Sequence, residues 1–245
     1  MGELEQKVGR AIRHFWRTRE VQEARQGGTD KDMDRGYRSA VTGGAQLDGF
    51  ADLIRELLVD NGIEDSAIYR KKDVVLPGFY RPTKEWDLLV VINGTLLATL
   101  EFKSQVGPSF GNNYNNRTKE ALGSATDIWT AYREGAFQES QKPWIGYFML
   151  LEETQKSLSP VGVKEPHFPV FEEFKSASYA KRYEIFCKKL VRERLYDAVC
   201  FILSDKTEGL NNGRFKEPSP ELTFRRFVES LTARALAFSK YSDKA

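Results

Sequence analysis

Asp87, Glu101 and Lys103 are the residues whose types and spacing promise chemistry. Glu101 and Lys103 interrupt the apolar run TLLATLEFKSQ at 95–105. In a strand, residues two apart share a face, so the acid and the base project together while Phe102 points into the packed layer. Asp87 opens the preceding apolar run, DLLVVI. If the two runs pair as a hairpin, two carboxylates and an ammonium meet on one surface. Two acids a few Å apart in a partly buried site repel, which raises one pKa unless a divalent cation sits between them. An oxygen-only ligand set favours Mg2+, which keeps several waters and accepts phosphate oxygens readily. Lys103 is then placed to orient or deprotonate an attacking water, or to neutralise charge growing on a phosphorane. In outline this is a phosphodiesterase site. The plain alternative is a solvated strand end carrying an ion pair of little energetic weight.

The hairpin sets a parity condition. Asn93-Gly94 between the two runs is the strongest short hairpin signal. A strict two-residue turn pairs Ile92 with Thr95 and, counting back, Asp87 with Leu100, leaving Glu101 on the opposite face from Asp87. A shared metal requires one odd correction in the ladder, because a one-residue slip reverses every face. Two placements satisfy it. One is a three-residue loop of Ile92, Asn93 and Gly94 ending in a G1 bulge; the other is a bulge further along, near the strand ends. Either brings the two carboxylates to roughly 4–6 Å, as expected of groups that share a divalent ion or bridge it through water.

The elements that must hold this hairpin follow from periodicity. Residues 4–26 have helical spacing, with Val8, Ile12, Phe15 and Trp16 on one stripe, and lead into the polar, Gly-rich GGTDKDMDRG, expected to be a loop. Residues 1–40 are therefore read as a helical appendage to a core at 41–245 within a single domain. LDGFADLIRELLVDNG repeats Leu47, Phe50, Ile54, Leu57 and Leu58 and stops at Asn61-Gly62, as a helix packed on a sheet would. Residues 68–76 read as one strand, PGFYRPTKE as a loop, 117–134 as a helix, WIGYFMLLEE as a strand, 179–195 as a helix, AVCFILS as a buried strand and 221–239 as a last helix. The order predicts an α/β fold with a mixed β-sheet flanked by helices, since the hairpin is antiparallel and the later strands arrive by helical crossovers.

Composition excludes several classes. With 37 basic against 35 acidic side chains the net charge is +2, so any polyanion site must be a local patch. Cys187 and Cys200 lack metal-site spacing and suit reduced core thiols in a cytoplasmic protein. MGELEQKVGRAIRHFWRTRE is too charged for a signal peptide, and no apolar run approaches a membrane span. His14 and His167 have no triad partners in view, and neither GxxxxGK[ST] nor GxGxxG occurs.

An Asp at a strand start, a hairpin, then E-x-K on the next strand resembles the PD-(D/E)XK nuclease core, although Trp86 stands where that motif usually has Pro. The blocks GFYRPTKEWD, EFKSQVGPSFGNNYNNR, AYREGAF, VKEPHFPVFEEFKSASYAKRY and ILSDKTEG, spread over 41–222, resemble the XhoI family of type II restriction endonucleases. The resemblance implies a PD-(D/E)XK nuclease-like fold and a homodimer that cuts both strands of the palindrome CTCGAG with Mg2+. It also implies a companion DNA methyltransferase protecting the host. The rival readings are a DNA-binding protein that keeps the fold without cutting, and a less specific repair or tRNA nuclease.

Candidate DNA contacts lie around the hairpin. GPSFGNNYNNRTK is read as a loop between the E-x-K strand and the next helix. Asn and Gln pair bidentately with adenine, and Arg or Lys with guanine, which makes Gln105, Asn112, Asn113, Asn115, Asn116, Arg117 and Lys119 candidates. The alternative is Asn serving turns, with Arg and Lys touching phosphate at a helix start. Arg81 and Lys84, just before Asp87, are expected on the backbone nearby. A third acidic metal ligand is assigned to Asp48 in the LDGF segment, with Asp52 and Glu56 as competitors.

Overall fold

Two runs with hardly a polar interruption, WIGYFMLLE and AVCFILS, can only be strands covered on both faces, and they form one edge of the main sheet and the strand next to it. The structure is a computed structural model that describes residues 2–27, 44–138 and 140–242. Its strands are β1 (Ile68–Tyr69), β2 (Val75–Pro77), β3 (Thr83–Glu85), β4 (Leu88–Ile92), β5 (Thr95–Gln105), β6 (Trp144–Glu152) and β7 (Ala198–Ser204). The helices are α1 (Glu3–Gly27), α2 (Asp48–Asp60), α3 (Phe110–Arg133), α4 (Gln155–Leu158), α5 (Tyr179–Arg192), α6 (Lys206–Asn212) and α7 (Phe224–Ser242).

The main sheet runs β1-β4-β5-β6-β7. Its first two pairings are antiparallel, whereas β5-β6 and β6-β7 are parallel, as connections through α3 and α5 demand. The expected mixed sheet flanked by helices is what forms. Alternation along β6 shows the layering. Phe148 and Leu150 join one buried cluster with α1, α2 and α7, while Ile145, Tyr147, Met149 and Leu151 join the other with α3 and α5. Cys187 and Cys200 are free thiols in these cores.

Several expectations are revised. The single strand at 68–76 is two, because Lys71 and Asp73 take positive φ of 63° and 56° and break the extended run between β1 and β2. β2 then pairs with β3, inside the segment expected as a loop, to make a separate two-stranded sheet. The last helix starts at Phe224, later than expected, and runs on to Ser242. The helix read as an appendage shares the core: Ile12, Phe15 and Trp16 are fully buried, and Trp16 Nε1 donates to Ser204 Oγ at the end of β7 at 2.9 Å. A stripe that apolar has no stable alternative to burial. The Gly-rich stretch expected after it lies, beyond Gly27, outside the described residues.

Candidate active site

The hairpin turn is tight, and the parity correction sits elsewhere. Asn93 and Gly94 both take positive φ, 50° and 77°, and Ile92 pairs directly with Thr95, so the three-residue loop with a G1 bulge does not form. The pairing then moves from Val91 with Leu96 to Val90 with Ala98, which leaves Leu97 as an extra residue in β5. The correction is a bulge in the strand, close to the turn rather than at the strand ends. Its effect is visible in the packing. Leu96 belongs to the cluster under α3, but Leu97, Ala98, Leu100 and Phe102 all belong to the opposite one. Thr99, Glu101 and Lys103 consequently turn towards α3, the side that Leu89 and therefore Asp87 also face.

The trio converges. Lys103 Nζ stands 2.8 Å from Glu101 Oε1 and 4.0 Å from Asp87 Oδ2. Asp87 Oδ2 accepts from the Phe102 backbone N–H at 2.7 Å, and the Asp87 N–H donates to the Leu100 carbonyl at 3.2 Å, which ties the aspartate to the neighbouring strand. Glu101 is 2 % exposed. Its Oε2 makes no hydrogen bond, although Lys84 Nζ lies 3.4 Å away.

The two acids are held differently. Desolvation raises the Asp87 carboxyl above its ordinary value, and the Lys103 ammonium and the Phe102 N–H only partly offset that, but the side chain is 42 % exposed, so solvent screening keeps the effect small. Burial works to raise Glu101 as well, but Lys103 and Lys84 together outweigh it and hold Glu101 below its ordinary value. Lys103 itself is held above the ordinary lysine value, because Glu101 and Asp87 overcome the burial that would lower it. Lys84 goes the other way, lowered by burial that Glu101 does not fully compensate.

Lys84 thus lies on a strand rather than on an open loop. It turns inward from β3, 4.3 Å over the Trp86 ring, towards the second oxygen of Glu101. Alternation along β3 was the signal: Lys84 is the half-buried residue between exposed Thr83 and Glu85. Arg81 stays half exposed with its Nε donating to Asp127 Oδ2 at 2.7 Å. Asp127 also accepts from the Phe79 and Tyr80 N–H groups at 2.8 and 2.9 Å, a clamp on this loop that the sequence reading missed.

Asp48, the expected third acid, lines a cavity of about 350 Å³ together with Asp87 and Phe102. It heads α2, on the face of the sheet opposite Glu101, and its carboxylate is bound to Lys71 at 2.8 Å and Arg70 at 3.5 Å. Asp52 is paired with Arg70, and Glu56 with Lys7 at 2.9 Å, so neither competitor replaces it. Among the described residues no three His, Cys, Asp or Glu side chains gather into a metal cluster.

The Asn-rich segment is helix, not loop. α3 begins at Phe110, because Phe110 stacks on Tyr179 and Tyr114 meets Tyr183 edge-on, contacts that override the poor helix propensity of Gly and Asn. Gln105, expected as a base reader, is the tie that holds this start. It is 2 % exposed, donates to the Phe110 carbonyl at 2.9 Å and accepts from the Tyr183 hydroxyl. Asn112, Asn115, Asn116 and Lys119 lie on the exposed side of α3. Asn113 and Arg117 instead line a cavity of about 600 Å³ together with Asp87 and Lys103. Arg19 and Gln46, which the sequence reading did not select, line it too.

Comparison with known proteins identifies the family. The family described as restriction endonuclease XhoI matches residues 23–217. The type II restriction enzyme BstVI of Geobacillus stearothermophilus is 55% identical over 203 residues, covering 81% of this chain and 90% of that protein. The type II restriction enzyme XhoI of Xanthomonas vasicola is 42% identical over 196 residues, 78% of this chain and 77% of that one. AbrI of Azospirillum brasilense, also a type II restriction enzyme, is 44% identical over 169 residues, 69% of this chain and 75% of its own length. No solved structure matches. A family model that matches most of the chain, together with relatives at 42–55% identity, leaves one conclusion: the chain belongs to the XhoI family of type II restriction endonucleases, enzymes that cut DNA at specific sites.

Proposed function

We propose that the protein hydrolyses both strands of duplex DNA at the palindrome CTCGAG as a Mg2+-dependent homodimer. In this reading Asp87 and Glu101 hold the metal, and it works in the cytoplasm beside a methyltransferase that protects the same site. The observation that carries the reading is the Leu97 bulge, which turns Glu101 and Lys103 to the side of the sheet that Asp87 faces. The donor set fits the ion. Glu101 Oε2 is buried without a hydrogen bond, and Mg2+ is commonly held by one or two carboxylates with water and phosphate completing the shell, so a third acid is not required. When bound, such an ion polarises the phosphate and lowers the pKa of its water.

The chain's own residues do the rest. Phe102 N–H fixes Oδ2 of Asp87. Lys103, kept protonated by both carboxylates, is suited to orient the attacking water and to neutralise charge on the phosphorane rather than to abstract a proton. Clustered acids beside a phosphate site would weaken a protein that only binds DNA, which argues against the non-cutting alternative.

The test is incubation with plasmid DNA in Mg2+ and then in EDTA. Discrete fragments that disappear with EDTA support the reading; smearing supports the nonspecific repair or tRNA nuclease, and intact plasmid the binding module. Glu101→Ala should lower the cleavage rate by orders of magnitude, as should Asp87→Ala and Lys103→Ala. DNA binding should persist in Asp87→Ala, because a negative charge facing phosphate has gone. Near-normal cleavage by Glu101→Ala ends the assignment.

A further inference from the structure

The stripe that α1 buries, Val8, Ile12, Phe15 and Trp16, advances by three or four residues, and its next two positions are Arg19 and Gln22. Polar side chains on a buried stripe need a reason. Arg19 opens on the cavity that Asp87, Lys103 and Arg117 also line. Gln22 is 8 % exposed and donates to Gln46, another wall of that cavity, at 3.3 Å. Arg19 Nε, Gln22 Oε1 and Arg117 Nε are all buried without a hydrogen-bond partner among the described residues. Buried polar groups are nearly always bonded, so these exceptions, two lining one cavity and one beside its wall at Gln46, point to a partner that the described residues do not supply.

The nature of that partner follows from the donors. Arg117 gives Nη1 to Glu120 at 2.5 Å, and its Nε and Nη2 edge carries no protein partner among the described residues. That edge is the fork a guanidinium lays on two oxygens of a phosphate or carboxylate. Arg19 has Glu23 only at 3.6 Å from Nη2, and both glutamates are more than two-fifths exposed, so neither pair neutralises its arginine strongly. Two cations therefore face the recess in which the scissile phosphate would lie, and the anions nearest to it are the flanking phosphates of the same strand.

We propose that Arg19 and Arg117 form an anion subsite beside Asp87, Glu101 and Lys103 that takes a non-scissile backbone phosphate and sets the register of the strand being cut. The proposal rests on the DNA-cleaving reading above. It gives α1 a part in substrate positioning, and Arg19 precedes residue 23, where the family match begins.

The experiment is equilibrium binding of fluorescent duplexes in EDTA, one containing CTCGAG and one scrambled, over a series of salt concentrations. Arg19→Gln should weaken both duplexes alike, about tenfold, and lower the slope of log affinity against log salt by about one, as loss of a single phosphate contact does. Arg19→Lys keeps the charge but not the fork, so its slope should stay near that of the unsubstituted protein while its affinity falls, which preserves the test if Arg19→Gln does not fold. Unchanged affinity and slope in a folded variant overturn the subsite while the DNA reading stands. A loss confined to the CTCGAG duplex also overturns it, since Arg19 would then read a base. If the unsubstituted protein binds neither duplex, the DNA reading itself fails.

Discussion

Asp87 and Glu101 are both carboxylates within reach of one ammonium, yet their environments push them in opposite directions. Asp87 has Lys103 at 4.0 Å and burial dominates, so its charged form is disfavoured; Glu101 has Lys103 at 2.8 Å and Lys84 beyond, so its charged form is favoured. The consequences for stability have opposite signs. An acid whose pKa is raised by folding costs stability above its folded pKa, and that cost fades as pH falls towards the unfolded value. Asp87→Asn keeps an acceptor for the Phe102 N–H and removes the costly charge. In EDTA at pH 7 it should raise the melting temperature only slightly, by less than about 1 °C because solvent screens a side chain that is 42 % exposed, with the gain vanishing below about pH 4. A lower melting temperature at pH 7 would show that the attraction to Lys103 outweighs burial. Glu101 contributes stability that is present above its unfolded pKa and is lost as pH falls through its lower folded value. Because a protonated Asp87 cannot hold a cation, cleavage at fixed Mg2+ should fail on the acid side at a higher pH than an ordinary aspartate would dictate. A pH–rate profile with its acid limb at or below pH 4 would contradict the burial argument.

Among the elements, β5 and the start of α3 decide whether the site exists. The bulge at Leu97 changes which face the second half of β5 presents, and the tight Asn93-Gly94 turn leaves no other place for the correction near the loop. Beyond it, Gln105 ends β5 with its amide committed at both ends, to Phe110 and to Tyr183. This couples β5 to the helix that carries Asn113 and Arg117 into the cavity. Gln105→Leu fills similar volume but strands a buried carbonyl and a buried hydroxyl. It should cost about 1–3 kcal/mol in urea unfolding and also weaken DNA binding, although Gln105 touches no DNA in this reading. A loss below about 0.5 kcal/mol would mean that the aromatic contacts of Phe110 and Tyr114 hold the helix start unaided.

At the scale of the whole molecule, one protomer carries one set of Asp87, Glu101 and Lys103, whereas a palindrome cut in both strands needs two sets related by a twofold axis. Sedimentation in EDTA with a CTCGAG duplex should therefore give two protomers per duplex. A single protomer per duplex at saturation would sink the homodimer. The net charge of +2 means that attraction for DNA must come from where the cations sit, not from their number. The recess shared by Arg19, Lys103 and Arg117 is such a local concentration, assembled from three separate elements. Among the described residues no helix is long and apolar enough to cross a membrane.

The sequence by itself determined the strands and helices that carry long periodic runs, because burial of TLLATLEF, WIGYFMLLE and AVCFILS admits few alternatives. It also determined the chemical types at the strand end, and through blocks such as EFKSQVGPSFGNNYNNR the resemblance to the family. It did not determine that GPSFGNNYNNR becomes helical: Gly and Asn signal turns locally, and only Tyr179, Tyr183 and Gln105, distant in the chain or on another element, supply the contacts that reverse this. Nor did it show that Asp48, which lines a cavity with Asp87, is bound to Arg70 and Lys71. The tertiary structure alone decided on which side Glu101 projects. Side chains alternate strictly along a strand, so a single unpaired residue, Leu97, reverses the outcome, and its position depends on what the two faces of β5 pack against rather than on any residue type nearby.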